Sequence, residues 1–139
     1  MATTTAQITL TSTDIADNAL SISNTMTLTT AGTETGITET TGLARKKIAS
    51  SSLADLITVA NTDVTAAKSA KVYIKNTSTA TDKYGLVGIG DSGGTPIYIG
   101  RLYGGDWMLI PWDANSGEDI TMTMNDATAT IIEYMVFFE

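Results

Sequence analysis

The chain contains no cysteine and no histidine, and both absences restrict what it can do. Ser-His-Asp and Cys-His nucleophile systems are excluded, as are zinc, copper and haem sites that use these ligands. Disulfides are excluded too, but 139 residues are enough for one domain to fold on its hydrophobic core. We therefore expect a protein that is not an enzyme, with no catalytic residues, no cofactor and no metal.

Basic residues are also scarce, since eight Lys and Arg stand against 15 Asp and Glu, for a net charge of −7. A nucleic-acid-binding protein usually carries a basic patch that neutralises phosphates, so we expect no nucleic-acid partner. No apolar stretch is long enough to span a bilayer, and the first residues lack the pattern of a signal peptide. We therefore expect neither a membrane partner nor export.

Threonine is abundant, proline is rare, and the first 44 residues contain no Lys or Arg. Apolar residues alternate with Thr or Ser at Ile8 and Leu10, at Leu20 and Ile22, and again from Met26. A period of two with one apolar face predicts half-buried strands, and the segment from Ala31 to Gly36 predicts a turn. We expect residues 1–41 to form an extended Thr-rich arm that packs on the domain or on a neighbouring subunit.

The β pattern is stronger in the second half, where short alternating stretches are separated by turn residues. The predicted strands are Lys71–Lys75, Tyr84–Ile89, Ile97–Leu102, Trp107–Ile110, Ile120–Met124 and Thr130–Phe138. Such spacing predicts an all-β fold, a sandwich or a barrel, and we expect an antiparallel β-sandwich that is jelly-roll-like over residues 42–139. The last strand is apolar on both faces, which predicts that it is central and covered, or partly buried by a partner.

The segment from Gly42 to Ala70 allows two interpretations. Ser50 to Ser52 could cap a short helix that begins near Leu53. Alternatively Leu56, Ile57 and Val59 belong to a strand, and we favour the strand.

Three motifs suggest chemistry, and each has a simpler explanation. Gly88 to Gly93 matches the G-x-G-x-x-G pattern, but a strand pattern follows instead of a helix, which favours a hairpin turn over a nucleotide site. Asp113 to Asp119 offers oxygen ligands for calcium, but an acidic β-turn is favoured. Trp107 to Trp112 could stack on sugars, although we expect its alternate members to fill the core.

The basic run from Arg45 to Lys47 has two equally weighted interpretations. It could bind an acidic partner surface, or it could be a solvated strand edge where lysine discourages unwanted pairing. The alternating segment near the N-terminus could dock by backbone pairing onto an exposed sheet edge. The candidate partner-binding residues are therefore Gln7, Ile8, Thr9, Leu10, Arg45, Lys46 and Lys47.

Three segments together resemble small virion structural proteins of tailed bacteriophages, particularly those of marine and cyanobacterial phages. They are the stretches KVYIKNTS from Lys71, GRLYGGDWMLIPW from Gly100 and IEYMVFF from Ile132. The resemblance covers roughly residues 40 to 139 and implies a β-sandwich that serves as a capsid decoration (cement) protein. It implies a location on the capsid surface of a virion after synthesis in the host cytoplasm. It also implies the major capsid protein of the shell as partner, with a homo-oligomer as a further candidate.

Two alternatives stay open at this point. A tail-fibre or head-fibre module that binds receptor glycans predicts exposed aromatic side chains around Trp107 and Trp112, whereas a decoration protein predicts that they are mostly buried. A hydrolase predicts two carboxylates facing one cleft.

Overall fold

The computed structural model describes residues 4–14, 19–29, 37, 39–50, 52–62, 70–114 and 117–138, and within them it is all β. The strands are β1 (Thr5–Ser12), β2 (Leu20–Thr27), β3 (Glu39–Thr40), β4 (Ala44–Ile48), β5 (Ala54–Ile57), β6 (Ala70–Asn76), β7 (Tyr84–Ile89), β8 (Ile97–Tyr103), β9 (Trp107–Trp112), β10 (Ile120–Met124) and β11 (Thr130–Phe138). One short 3-10 turn, Val59–Asn61, follows β5.

The strands from β4 onward pair in a nested way, the first with the last and so on inward. Thus β4 pairs with β11, β5 with β10, β6 with β9, and β7 with β8, all antiparallel. Further pairings of β11 with β3 and β6, and of β10 with β7, complete two sheets. One sheet has the order β5-β10-β7-β8, and the other has β3-β11-β6-β9 with β4 also on β11. The strands β1 and β2 form a separate two-stranded sheet.

The hydrophobic core takes alternate residues from both larger sheets. Val72 and Ile132 come from the five-stranded sheet, Val87 and Met122 come from the four-stranded sheet, and all four are fully buried. Because successive side chains on a strand point to opposite faces, the residues between them face outward on each sheet. Each fully buried side chain of this size contributes about 1.5–3 kcal/mol, so this shared core dominates the stability.

The strand β11 lies inside its sheet, as its apolar sequence predicts. It pairs with β6 along one side, while β3 and β4 share the other side. Between β3 and β4, Thr41 keeps contact through its N–H to the carbonyl of Val136 at 3.0 Å, and its hydroxyl accepts the N–H of Val136 at 3.1 Å. Gly42 follows with φ of 74°, a left-handed conformation that suits glycine and lets the chain turn into β4.

The strand predictions for the second half are confirmed, with β7, β10 and β11 at the predicted bounds and β6, β8 and β9 longer by one or two residues. Between Gly42 and Ala70 the strand interpretation is confirmed for Leu56 and Ile57, but Val59 lies in the 3-10 turn instead. The reason is a long-range contact, because the N–H of Val59 donates to the carboxylate of Asp119 at 2.8 Å and leaves the sheet ladder.

The N-terminal strands exist as predicted, but they are not half-buried within this chain. Ile8, Leu10, Ile22 and Met26 are all exposed. Leu28, directly after β2, is buried, and its N–H donates to the carbonyl of Thr4 at 2.9 Å, closing the base of the two strands. The turn predicted from Ala31 to Gly36 lies outside the described residues.

Candidate docking surface

The side of the five-stranded sheet that faces away from the core combines cationic and apolar side chains. We refer to it as the outer face. Its described members on β4, β6, β9 and β11 are Arg45, Lys47, Lys71, Tyr73, Lys75, Trp107, Leu109, Pro111, Ile131, Glu133, Met135 and Phe137. The register places the apolar members in neighbouring positions across the strands and so makes one continuous surface.

The charge of the outer face is opposite to that of the chain. Among its described members, four of the eight Lys and Arg residues lie there with one carboxylate, Glu133, and these side chains sum to +3. Since the whole chain has a net charge of −7, the remaining residues carry −10. Arg45 donates to Glu133 at 2.9 Å, and this carboxylate also lies opposite Lys75 on β6. The outer face is therefore a positive surface on an otherwise acidic protein.

The two N-terminal strands, which we call the N-terminal hairpin, meet the outer face at their base. A groove of about 190 Å³ lies between them. Its lining residues are Thr4, Thr5, Ala6, Gln7 and Leu28 from the hairpin side and Tyr73, Trp107, Leu109 and Phe137 from the sheet. The hairpin base and the outer face thus belong to the same side of the molecule.

The groove contains two aromatic rings of the outer face. The ring centroids of Tyr73 and Trp107 are 6.4 Å apart and the rings are tilted by 35°. Burial, and beyond it the charge of Glu133, raises the pKa of Tyr73 above its ordinary value of 10.0. Like an ordinary tyrosine, Tyr73 is neutral at physiological pH, so its hydroxyl is a hydrogen-bond donor.

The seven residues predicted to bind a partner are not all placed together. Arg45 and Lys47 lie on the outer face, opposite Glu133 and Ile131 of β11. Lys46 points to the other side of the strand, where its ammonium group donates to the carbonyl oxygen of Asp55.

The four predicted residues of β1 divide between the faces of the hairpin. Gln7 and Thr9 lie on one face, whereas Ile8 and Leu10 lie on the other, and all four are exposed.

Several members of the outer face were not among the predicted residues, notably Lys71, Lys75 and Tyr73. Their alternation with the buried Val72 and Ile74 is visible in the sequence and carried the signal. The position of β6 between β9 and β11 was not predictable from the sequence. It brings these residues beside Trp107 and Glu133.

The two tryptophans of β9 have opposite environments. Trp112 is 4% exposed, and its indole N–H donates to the carbonyl of Glu118 at 2.7 Å, so it is a core residue. Trp107 is 51% exposed and lies on the outer face. Aromatic side chains also occur on the four-stranded sheet, where Arg101 stacks over the ring of Tyr84 at 4.7 Å.

The other motifs have structural roles in the residues described. The glycine-rich segment from Gly88 joins the antiparallel strands β7 and β8, so its interpretation as a hairpin turn is confirmed. Part of the acidic loop from Asp113 lies outside the described residues, but the Asp119 carboxylate accepts the N–H of Val59. Across the described ranges no group of three or more acidic side chains is placed to hold a metal ion. No helix in that same part of the chain has the length and apolar character needed to cross a membrane.

Comparison with family models, with curated proteins and with solved structures found no match to this chain.

Proposed function

We propose that this protein is a non-enzymatic structural component of a phage virion, a decoration (cement) protein that binds the capsid shell and stabilises it. The observation that supports this most is the one-sided surface: a positive, partly apolar outer face beside an exposed hairpin, on a chain of net charge −7. Complementary charge steers a protein to its partner and fixes its orientation there. The partner is then an acidic surface of the major capsid protein at the exterior of the shell.

The fold that we propose for this module is a β-sandwich of the jelly-roll type, with residues 42–139 as its body and residues 1–41 as an arm. Its support is the nested pairing of eight strands into two sheets that share a core. Jelly rolls occur in both viral capsid and lectin domains, so the fold favours an assembly or recognition role without choosing between them.

Repetition accounts for how such a module would stabilise a shell. A single docking surface binds with modest affinity. Copies that join neighbouring shell subunits bind with higher avidity, because the effective concentration of the second contact is high. No reaction is required for this effect, only surface complementarity.

The test is co-sedimentation of the purified protein with undecorated phage particles, comparing two charge reversals of equal size. Lys47→Glu changes the outer face, whereas Arg101→Glu changes the four-stranded sheet on the opposite side. We expect Lys47→Glu to weaken binding about fivefold, equivalent to about 1 kcal/mol. Arg101→Glu is expected to bind as the unchanged protein does. Equal effects of the two substitutions would show that the outer face does not dock.

The arm is tested by removing residues 1–13, which deletes β1. Gln7 lines the groove beside the outer face, and Ile8, Thr9 and Leu10 are exposed further along β1, so we expect weaker particle binding. Unchanged occupancy of the particles after this deletion would contradict a role for the arm.

The second candidate function is glycan binding by a tail-fibre or head-fibre module, and one observation favours it. Trp107 is half exposed beside Tyr73 in the groove, and an exposed aromatic platform is suited to stacking on a sugar ring. Titration of Trp107 fluorescence with host surface glycans, using Trp107→Ala as control, separates the two. Saturable binding that Trp107→Ala abolishes, with no particle binding, would support the glycan-binding function.

A further inference from the structure

The N-terminal hairpin is amphipathic, although none of the residues that the structure describes covers its apolar face. The register pairs Leu10 with Ile22 and Ala6 with Met26, and paired residues share a face. The large apolar side chains exposed on this face of the hairpin are Ile8, Leu10, Ile22 and Met26, which are 44%, 50%, 40% and 51% exposed.

The opposite face of the hairpin is entirely polar. It consists of Thr5, Gln7, Thr9, Thr11, Ser21, Ser23, Thr25 and Thr27. An isolated two-stranded sheet is marginally stable in water unless its apolar face is packed. This segregation therefore indicates that the apolar face is covered when the protein performs its function.

The charge distribution indicates what covers it. Neither β1 nor β2 contains a charged residue, whereas the rest of the chain carries the net charge of −7. Two copies of such an acidic protein repel each other at most approaches. At the hairpin they can meet without bringing like charges together. An acidic or basic partner protein, by contrast, would gain no complementary charge there.

Asn24 supports an identical partner. It lies on the apolar face, directly opposite Ile8 in the register. A carboxamide both donates and accepts hydrogen bonds, so Asn24 of one copy and Asn24 of a second copy can satisfy each other. A single asparagine within an apolar seam fixes register in coiled coils in the same way.

We propose that the apolar face of the N-terminal hairpin binds the same face of a second copy of this chain. The two hairpins stack face to face at the usual spacing of about 10 Å between sheets. Eight-residue strands give a contact only about 27 Å long. A contact of this length between two pairs of strands buries less area than a standard interface, so the association is weak and depends on concentration. This contact uses the apolar face of the hairpin, whereas shell binding uses the outer face and the base of the hairpin beside it.

The experiment is sedimentation equilibrium of the full chain from micromolar to millimolar concentration, with two double substitutions. Leu10→Glu with Ile22→Glu places two carboxylates on the apolar face. Thr9→Glu with Ser23→Glu places the same two charges on the polar face, one position along each strand. Far-ultraviolet circular dichroism checks that the β fold persists in each.

We expect the unchanged protein to exceed its monomer mass of 14.6 kDa as concentration rises. The polar-face variant should follow it, while the apolar-face variant stays at 14.6 kDa throughout. A monomer at every concentration would overturn the proposal. So would an apolar-face variant that still associates, since the interface would then lie elsewhere. If the unchanged protein is a monomer at every concentration and the apolar-face variant no longer binds particles, the apolar face binds the shell instead.

Discussion

At the residue scale, the least replaceable polar side chain is Asn76, at the end of β6. It is fully buried, its amide donates to the carbonyls of Lys83 and Leu102 at 3.1 and 3.0 Å, and its side-chain oxygen accepts the N–H of Ser78 at 3.0 Å. It therefore joins three loop and strand segments at a position with no solvent exposure. Leaving buried polar groups unpaired costs far more than the net gain from a hydrogen bond.

We therefore expect Asn76→Ala to lower the free energy of unfolding by about 3 kcal/mol. Asn125→Ala is the control, because Asn125 also binds the backbone through both ends of its amide, with two bonds instead of three, to Tyr84 and Asp82, while exposed. Its cost should be about 1 kcal/mol, since water replaces the lost partners. Urea unfolding measures both, and equal costs would contradict the assigned role of burial.

A second prediction at this scale concerns Asp126. The N–H of Thr128, at 2.6 Å, and then the ammonium of Lys83, at 3.2 Å, hold the pKa of Asp126 below its ordinary value of 3.8. A depressed pKa contributes stability that is present above 3.8 and is lost as the pH falls through the folded value. Nuclear magnetic resonance titration of this carboxyl should give a midpoint below 3.8.

Lys83→Met should raise that midpoint only in part, because the backbone N–H of Thr128 is the larger cause and remains. A midpoint of 3.8 or higher in the unchanged protein would show that neither partner engages the carboxylate.

At the scale of elements, strands were predictable where alternation and turn residues coincide. The bounds of β10 and β11 follow from the sequence alone, because apolar residues and clear punctuation surround them. The 3-10 turn at Val59 was not predictable, since it depends on Asp119, 60 positions away. What covers the hairpin was not predictable either, because alternation reports an apolar face and not its partner, and Ile8 and Leu10 are exposed within the described part of the chain.

The candidate site was predictable to a smaller extent. The basic run was visible, but Lys46 and its neighbours separate to opposite sides of β4 because successive side chains alternate. The outer face required knowledge of which strands are neighbours. Pairing partners such as Tyr73 and Leu109 are distant in sequence, so no local pattern reveals them.

The hairpin and β11 should differ sharply in what their removal costs. Among the residues that the structure describes, the main core contains none before Ile48, so a chain that begins at Leu28 should unfold cooperatively with nearly the original midpoint. Removing residues 136–139 deletes Val136 and Phe138 from the core and should cost several kcal/mol, a large part of the roughly 5–15 kcal/mol of a typical domain.

Urea unfolding followed by Trp112 fluorescence tests this contrast. Loss of the cooperative transition in the chain that begins at Leu28 would mean that the hairpin is part of the folding unit.

At the scale of the whole molecule, the two proposed interfaces should respond to salt in opposite directions. Shell binding through the positive outer face should weaken with ionic strength, because salt screens attraction between opposite charges. Self-association through the uncharged hairpin should strengthen, because salt screens the repulsion between two chains of charge −7. Particle co-sedimentation and sedimentation equilibrium between 0.05 and 0.5 M salt, roughly the range over which the Debye length falls below 10 Å, measure both. If salt changed both affinities in the same direction, one surface would serve both contacts.

Imaging shows directly which side of the molecule contacts the shell. Undecorated particles incubated with the purified protein should show, by cryo-electron microscopy, density at regular lattice positions on the head. We predict that the outer face, formed by β4, β6, β9 and β11, contacts the shell and that β8 faces solvent. Density on the tail alone, no density, or a module docked through β8 would contradict it.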